Sequence, residues 1–306
     1  MSYLDFTVFH VGGKGGIGEG IRILTNYKHE PNKKALYIFE ADLSNDGDLD
    51  KNKEYIKKLK KRHGMDVNIL QYCVSDHNGV EDFYINRDRW SSSLFKIDDR
   101  AANYVMESKD GPMWKDHCTI DESVEVNVTT FDEIYKNHLP VKPDFLSMDA
   151  QASEFNILKG ATTFLDGDLL GVITEVEFRE LYENQPLFSD QDVLLRSKGF
   201  IFIDLLTNQR WFIGPGIGKS CLTVGEVLYL KDYMYIVDKY ESNLDTLIPA
   251  LFKLAIISNK LGYSSYSYVI IDYMVEKWNR QCNLYINSNN DILVKNIFNF
   301  YKEIKK

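Results

Sequence analysis

The chain lacks the features that would commit it to an extreme environment. Its four cysteines, Cys73, Cys118, Cys221 and Cys282, are scattered over 306 residues, and no pair has the C-x-x-C spacing of a zinc or redox site. Reduced thiols are expected. Positive charge is not in excess: 36 Lys and Arg against 45 Asp and Glu leave a formal charge of −9, so nucleic acid phosphates and anionic lipid find no broad attraction. The one basic run, "KKLKKRHG" at 57–64, reads as the solvated end of a helix with Gly64 just beyond it. No segment reaches the roughly 18 uninterrupted apolar residues of a membrane span. The start, "MSYLDFTVFH", has neither a basic n-region nor a long apolar core. The expectation is a cytoplasmic protein without nucleic acid or membrane partners. Repeats and low-complexity linkers are also missing, and 44% apolar residues can supply a sizeable core.

What is present is an alternating rhythm. The apolar runs "FTVFHV" (6–11), "ALYIFEA" (35–41), "VNILQYCV" (67–74), "PDFLSMDA" (143–150), "GVITEVEF" (171–178) and "FIFIDLL" (200–206) read as strands. Helical patterns lie between most of them, at 18–27, 48–63, 153–165 and 190–199. This order predicts an α/β fold, a parallel sheet with helices on both faces. Residues 80–134 are too long for one crossover and predict an insertion, at about 86–128, lying over the site. From about 231 to 306 the chain turns mostly helical and Tyr-rich, as a cap, a dimer element or a small subdomain. A homodimer is slightly favoured over a monomer.

The first run leads directly into "HVGGKGGIGEG". Glycines between a strand and a helix N-terminus let a ligand approach the backbone, because no Cβ stands in the way. Gly13, Gly15 and Gly18 satisfy G-x-G-x-x-G, and the second run ends in "FEAD", where Glu40, followed by Ala41, can accept from both hydroxyls of a ribose. The ligand is then a dinucleotide or S-adenosylmethionine. A second cluster, "IGPGIGKS" (213–220), misses the phosphate-loop pattern because Ile213 stands where glycine is required, and it reads as a tight turn.

Five further segments occur in order: "YCVSDHNGVEDFYI", "SSSL", "TFDEI", "PDFLSMDAQASEFNILKGA" and "TEVEFRELY". Together they resemble the FkbM family of S-adenosylmethionine-dependent methyltransferases, over roughly residues 5–210. The strongest piece is "DFLSMDAQASEFNILKGA", in which Asp149, Glu154 and Gly160 take the matching places. The resemblance implies a Rossmann-like seven-stranded sheet, S-adenosyl-L-methionine across the carboxyl ends of its strands, and methyl transfer to an oxygen. The family's first motif reads like "DVGANIG"; Gly12 and Gly16 match it, whereas His10 and Lys14 depart from it.

Site residues follow from the resemblance together with residue chemistry. His10, Gly12, Gly13, Gly16, Glu40, Ala41, Ser75, Asp76, Ser93 and Asp149 are assigned to the cofactor, with Ser75 and Asp76 near its adenine. Asp149, Glu177 and His77 are the catalytic candidates, and His117 is a looser one. Glu175 and Glu177 are assigned to opposite faces of their strand, with Glu177 the one near the acceptor. Trp90, Tyr104, Trp114 and Tyr182 can stack on sugar rings or pack the insertion. No D-D or D-N pair follows Asp149, so no metal is assigned. The expected activity is O-methylation of a sugar or nucleotide-sugar, in the setting of surface polysaccharide. Two alternatives stay open: a non-catalytic binding protein on the same fold, and a nicotinamide-dependent oxidoreductase, against which no Tyr-x-x-x-Lys constellation is found.

Overall fold

A computed structural model describes residues 5–12, 33–41, 54, 57–58, 60–61, 64–109, 111–214, 217–285 and 291–304. Its strands, in chain order, are β1 (Phe6–Val11), β2 (Lys34–Glu40), β3 (Asp66–Gln71), β4 (Cys73–Val74), β5 (Gly79–Asn86), β6 (Val105–Met106), β7 (Ile120–Thr129), β8 (Phe145–Met148), β9 (Gly171–Glu177), β10 (Phe200–Ile213) and β11 (Cys221–Lys231). The main sheet runs β3-β2-β1-β8-β9-β11-β10-β6 among the described residues. The first five of these are parallel; β11 and β10 join as an antiparallel hairpin, and the two-residue β6 from the insertion adds an eighth strand to the seven expected. From β1 the chain winds outward through β2 to β3, then returns to place β8 and β9 on the other side of β1. That reversal opens a crevice between β1 and β8 at their carboxyl ends, where ligands bind in open α/β sheets.

Side chains alternate cleanly across this sheet, as the strand period requires. Phe6, Val8, Leu36, Ile38, Phe145, Ile173 and Leu228 enter one core. Phe9, Val11, Phe39, Leu146, Met148, Val172 and Val227 enter the other. The second core is closed by the helices Phe131–Asn137, Glu154–Lys159, Thr162–Leu165 and Phe188–Ser197. Each starts where its sequence permits; Thr130, for example, caps the first by accepting from the Glu133 amide at 3.0 Å. The first core is closed by the C-terminal helices, whose Ile248, Leu251, Phe252, Ile256 and Ile270 pack directly on the sheet. Lys253 adds a 2.6 Å contact to Asp144, which also accepts from the Thr7 amide at 2.8 Å. The tail therefore completes one face of the sheet.

Two strand expectations change. "VNILQYCV" breaks at Tyr72, because Cys73–Val74 leaves the main sheet and pairs with β7. "FIFIDLL" opens a 14-residue strand, and the unassigned β11 pairs along most of it. "IGPGIGKS" joins those two strands, with Gly214 and Gly218 at φ +78° and +80°. Residues 57, 58, 60 and 61 of the basic run are helical, and Gly64 follows at φ +62° as a helix-terminating glycine does. The helix expected at 18–27 lies outside the described residues. The insertion is carried between β5 and β7, which pair antiparallel in a second, three-stranded sheet with β4. Among the described residues, no helix is long and apolar enough to cross a membrane.

Candidate active site

Two strand ends cross at van der Waals limits where β1 and β8 finish. The Asp149 amide donates to the Val11 carbonyl at 3.0 Å, and the Gly12 amide donates to Phe39 at 3.1 Å. Gly12 has φ +95°, and a Cβ on it would lie 1.7 Å from the Asp149 carbonyl oxygen. No side chain other than hydrogen fits there. The ends of β1, β2 and β8 thereby meet around one cavity, whose floor holds Gly12, Glu40, Ala41 and Asp149. Its walls are largely apolar, with Phe39, Tyr72, Val74 and Ile157 below and Phe83, Trp90 and Leu94 of the β5–β7 region above. Glu40 is 7% exposed, a buried carboxylate that shares the largely apolar lining with the charged Arg89 and Asp149.

A second cavity of about 170 Å³ adjoins the first, and Gln151 and Trp90 line both. It is acidic and aromatic: Asp88, Glu107, Glu175 and Glu177 face Trp114, Tyr182 and Trp211. Gln151 and Ala152 have φ of +50° and +77°, a turn that carries the Gln151 side chain between the cavities. Its Nε2 donates to Asp149 at 3.2 Å and to Glu175 at 3.4 Å, and its Oε1 accepts from the Tyr182 hydroxyl at 3.3 Å. Ser93 fixes the same turn by donating to the Gln151 carbonyl at 2.6 Å. Glu154, fully buried, accepts from the Ala150 amide at 2.5 Å. Burial raises its carboxyl to about 7, assisted by the charge of Asp149. Burial likewise lifts Glu175 well above the usual range, with Asp149 and Glu177 adding to it, and lifts Glu177, with Glu154 adding most.

The assignment of Glu175 and Glu177 to opposite faces is corrected here. Residues two apart on a strand return to the same face, and both carboxyls line the second cavity. The other assigned residues fall into two groups. Gly12, Glu40, Ala41 and Asp149 come together on the first cavity, and Glu177 stands on the second. His10, Ser75, Asp76, Ser93 and His77 do not line either cavity. His10 is buried, with Nε2 donating to the Gly12 carbonyl at 3.2 Å. Ser75 donates to Glu81 at 3.3 Å. Burial pushes the Asp76 carboxyl up, but His77 at 3.0 Å and an ion pair with Lys159 hold it below its usual value. The exposed His77 is in turn raised, chiefly by that bond to Asp76. His117 pairs with Asp88 at 3.4 Å. Gly13 and Gly16 lie outside the described residues.

Among the stacking candidates, Trp90, Trp114 and Tyr182 line the second cavity, whereas Tyr104 is 62% exposed and stands apart from it. The Trp114 and Trp211 rings meet at 4.9 Å. The polar and aromatic lining residues not singled out from the sequence include Asp88, Arg89, Glu107, Gln151, Gln209 and Trp211. Only Gln151 carried a sequence signal, its place two residues after Asp149 in the "DAQAS" turn.

A family model described as the methyltransferase FkbM domain matches residues 22–202. Among solved structures, the chain is similar to methyltransferase FkbM from Methylobacillus flagellatus KT, with 11% identity, 75% of this chain and 44% of that chain covered, and a TM-score of 0.36. It thus spans less than half of that protein's length. It is also similar to a structure from work on the conversion of a disulfide bond into a thioacetal group during echinomycin biosynthesis, with 9% identity, 79% and 83% coverage and a TM-score of 0.33. No curated protein matches the chain.

Proposed function

The chain belongs to the FkbM methyltransferase family, and from that premise we propose that it uses S-adenosyl-L-methionine to methylate a hydroxyl group of a carbohydrate. The observation that carries this reading is the meeting of Gly12 and Glu40 in one cavity that opens, past Asp149 and Gln151, onto a second. The residues suit the cofactor. Gly12, where the Asp149 carbonyl occupies the place of a Cβ, lets the ends of β1 and β8 close up beneath the cavity, the Glu40 carboxylate can accept from two ribose hydroxyls, and the apolar walls suit a flat base.

When bound, the cofactor supplies an activated methyl group. The protein's own tasks are then alignment and handling of one proton. Asp149 stands on the floor of the first cavity and is tied through Gln151 to Glu175 on the wall of the second, so these acids flank the passage between them. An acceptor hydroxyl held in that passage can give its proton to Asp149. Trp90, Trp114 and Trp211 offer faces for a sugar ring, and the surrounding carboxyls can accept from its other hydroxyls.

Thermal unfolding with added S-adenosylhomocysteine or NAD tests the reading. A ligand at one hundred times its Kd stabilises by about 2.7 kcal/mol. Stabilisation by S-adenosylhomocysteine alone is expected; stabilisation by NAD alone would replace this reading with a nicotinamide-dependent one.

A further inference from the structure

Four acids converge behind the passage. One carboxylate oxygen from each of Asp149, Glu154 and Glu175 lies within 4.8 Å of the other two. Glu177 projects from the same face of β9 and lines the same cavity as Glu175. The groups acting most on Glu154, Glu175 and Glu177 are backbone amides, Gln185 and other acids, with no lysine, arginine or histidine among them. A cluster of this kind is relieved by protons, as the raised carboxyls allow, or by positive charge brought in from elsewhere.

The free valences point to where it comes from. Glu154 spends one oxygen on the Ala150 amide, and its Oε2 is buried without a hydrogen-bond partner. Glu177, 2% exposed, also has a buried Oε2 without a partner. Buried polar atoms are nearly always satisfied in native proteins, so the unpaired oxygen of the fully buried Glu154 asks for a partner, and that of Glu177 has, among the described residues, only the Gln185 amide beside it. Among the described residues, the donor between Asp149 and Glu175 is the Gln151 amide, at 3.2 and 3.4 Å, a weak neutral substitute for a cation.

We propose that Asp149, Glu154 and Glu175 bind a divalent cation of the hard, oxygen-seeking class, Mg²⁺ or Mn²⁺, with Glu177 beside it. Hard cations bind oxygen at about 2.0–2.6 Å, so oxygens on opposite sides of one ion lie roughly 4–5 Å apart, as this cluster allows. Among the described residues no histidine or thiol joins the group, which disfavours zinc and copper. The cation's role rests on the function proposed above: at the passage between the cavities it would take an acceptor hydroxyl oxygen as a further ligand and make that hydroxyl more acidic. Its binding does not depend on that role.

The test is titration of the full chain with Mn²⁺, followed by the electron paramagnetic resonance signal of the free ion, with Mg²⁺ as competitor. The variants are Glu154→Gln and Glu175→Gln, close isosteres whose folding is checked by circular dichroism, and Glu125→Gln on the exposed strand β7 as control. One Mn²⁺ per chain, displaced by Mg²⁺, is expected, with affinity lowered about tenfold or more in each cluster variant because ligand charge sets the strength of such sites. The control should match wild type. Absence of stoichiometric binding, or binding that both cluster variants leave intact, overturns the proposal. Titration of the same samples with S-adenosylhomocysteine keeps the two readings apart. Cofactor binding without Mn²⁺ removes the cation site alone, and Mn²⁺ binding without cofactor removes the proposed function alone.

Discussion

Replacing Gly12 with alanine puts one methyl group where the site has no room for it. The new Cβ would start 1.7 Å from the Asp149 carbonyl oxygen, whereas real Cβ contacts essentially never fall under 3.0 Å, so the ends of β1 and β8 must separate by about 1.3 Å. The backbone at φ +95° adds a conformational cost of about 1–2 kcal/mol for a residue with a Cβ. That separation moves Asp149 relative to Glu40, and a misplacement of about 1 Å in such a site costs on the order of a hundredfold. Gly12→Ala is therefore expected to weaken S-adenosylhomocysteine binding in calorimetric titration and to lower any methyl-transfer rate on the order of a hundredfold, while lowering stability in urea unfolding by at least the roughly 1–2 kcal/mol of the backbone conformation. Wild-type affinity in a folded Gly12→Ala protein would refute the reasoning, because the crossing would then be remote from the ligand.

Other consequences can be checked on the same footing. Phe252 lies fully buried against the sheet, so Phe252→Ala should cost about 3–5 kcal/mol and still unfold in one transition; an early, separate unfolding step would mean that the tail does not share the sheet's core. Lys231 is buried, donates to the Leu165 and Lys198 carbonyls at 2.7 and 2.8 Å, and has its amine lowered by burial to about 7. The unfolded chain then binds the extra proton between about 7 and 10.5, so this residue's contribution to stability grows as pH rises through that window and is lost as pH falls through 7. Wild type should gain on Lys231→Met by up to about 1.4 kcal/mol per pH unit from pH 7 to 9; parallel stability curves for the two proteins would contradict this. Trp90→Ala should weaken both cofactor and acceptor binding because its ring lines both cavities, and an effect on neither would show that the ring only packs.

Strands covered on both faces were the most legible part of the chain. β1 reads correctly at both ends because "FTVFHV" is mostly apolar and glycine follows at once. The break at Tyr72 is hidden for a similar reason: the run is largely apolar on both sides of it, Gln71 apart, and what changes is the pairing partner, from β2 to β7, which no local pattern records. The insertion is visible as excess length, whereas its sheet depends on pairing Gly79–Asn86 with residues some forty positions later. Glu40 and Gly12 are legible because strand–glycine–helix and strand-end acid are local signals. Asp149, Glu154, Glu175 and Glu177 become a cluster only through the lateral pairing of β8 with β9. Ser75, Asp76 and His77 carry suitable chemistry, but the fold spends it on Glu81, Lys159 and one another.

The most direct measurement is calorimetric titration of the wild-type chain and of Glu40→Ala with S-adenosyl-L-methionine. The account predicts saturable one-to-one binding in wild type that weakens roughly tenfold to a hundredfold in the variant, the loss of one charge-assisted hydrogen-bonding group. Equal binding by the two proteins would remove Glu40 from the ribose, and no binding by wild type would contradict the assignment of the Gly12 and Glu40 cavity to this cofactor.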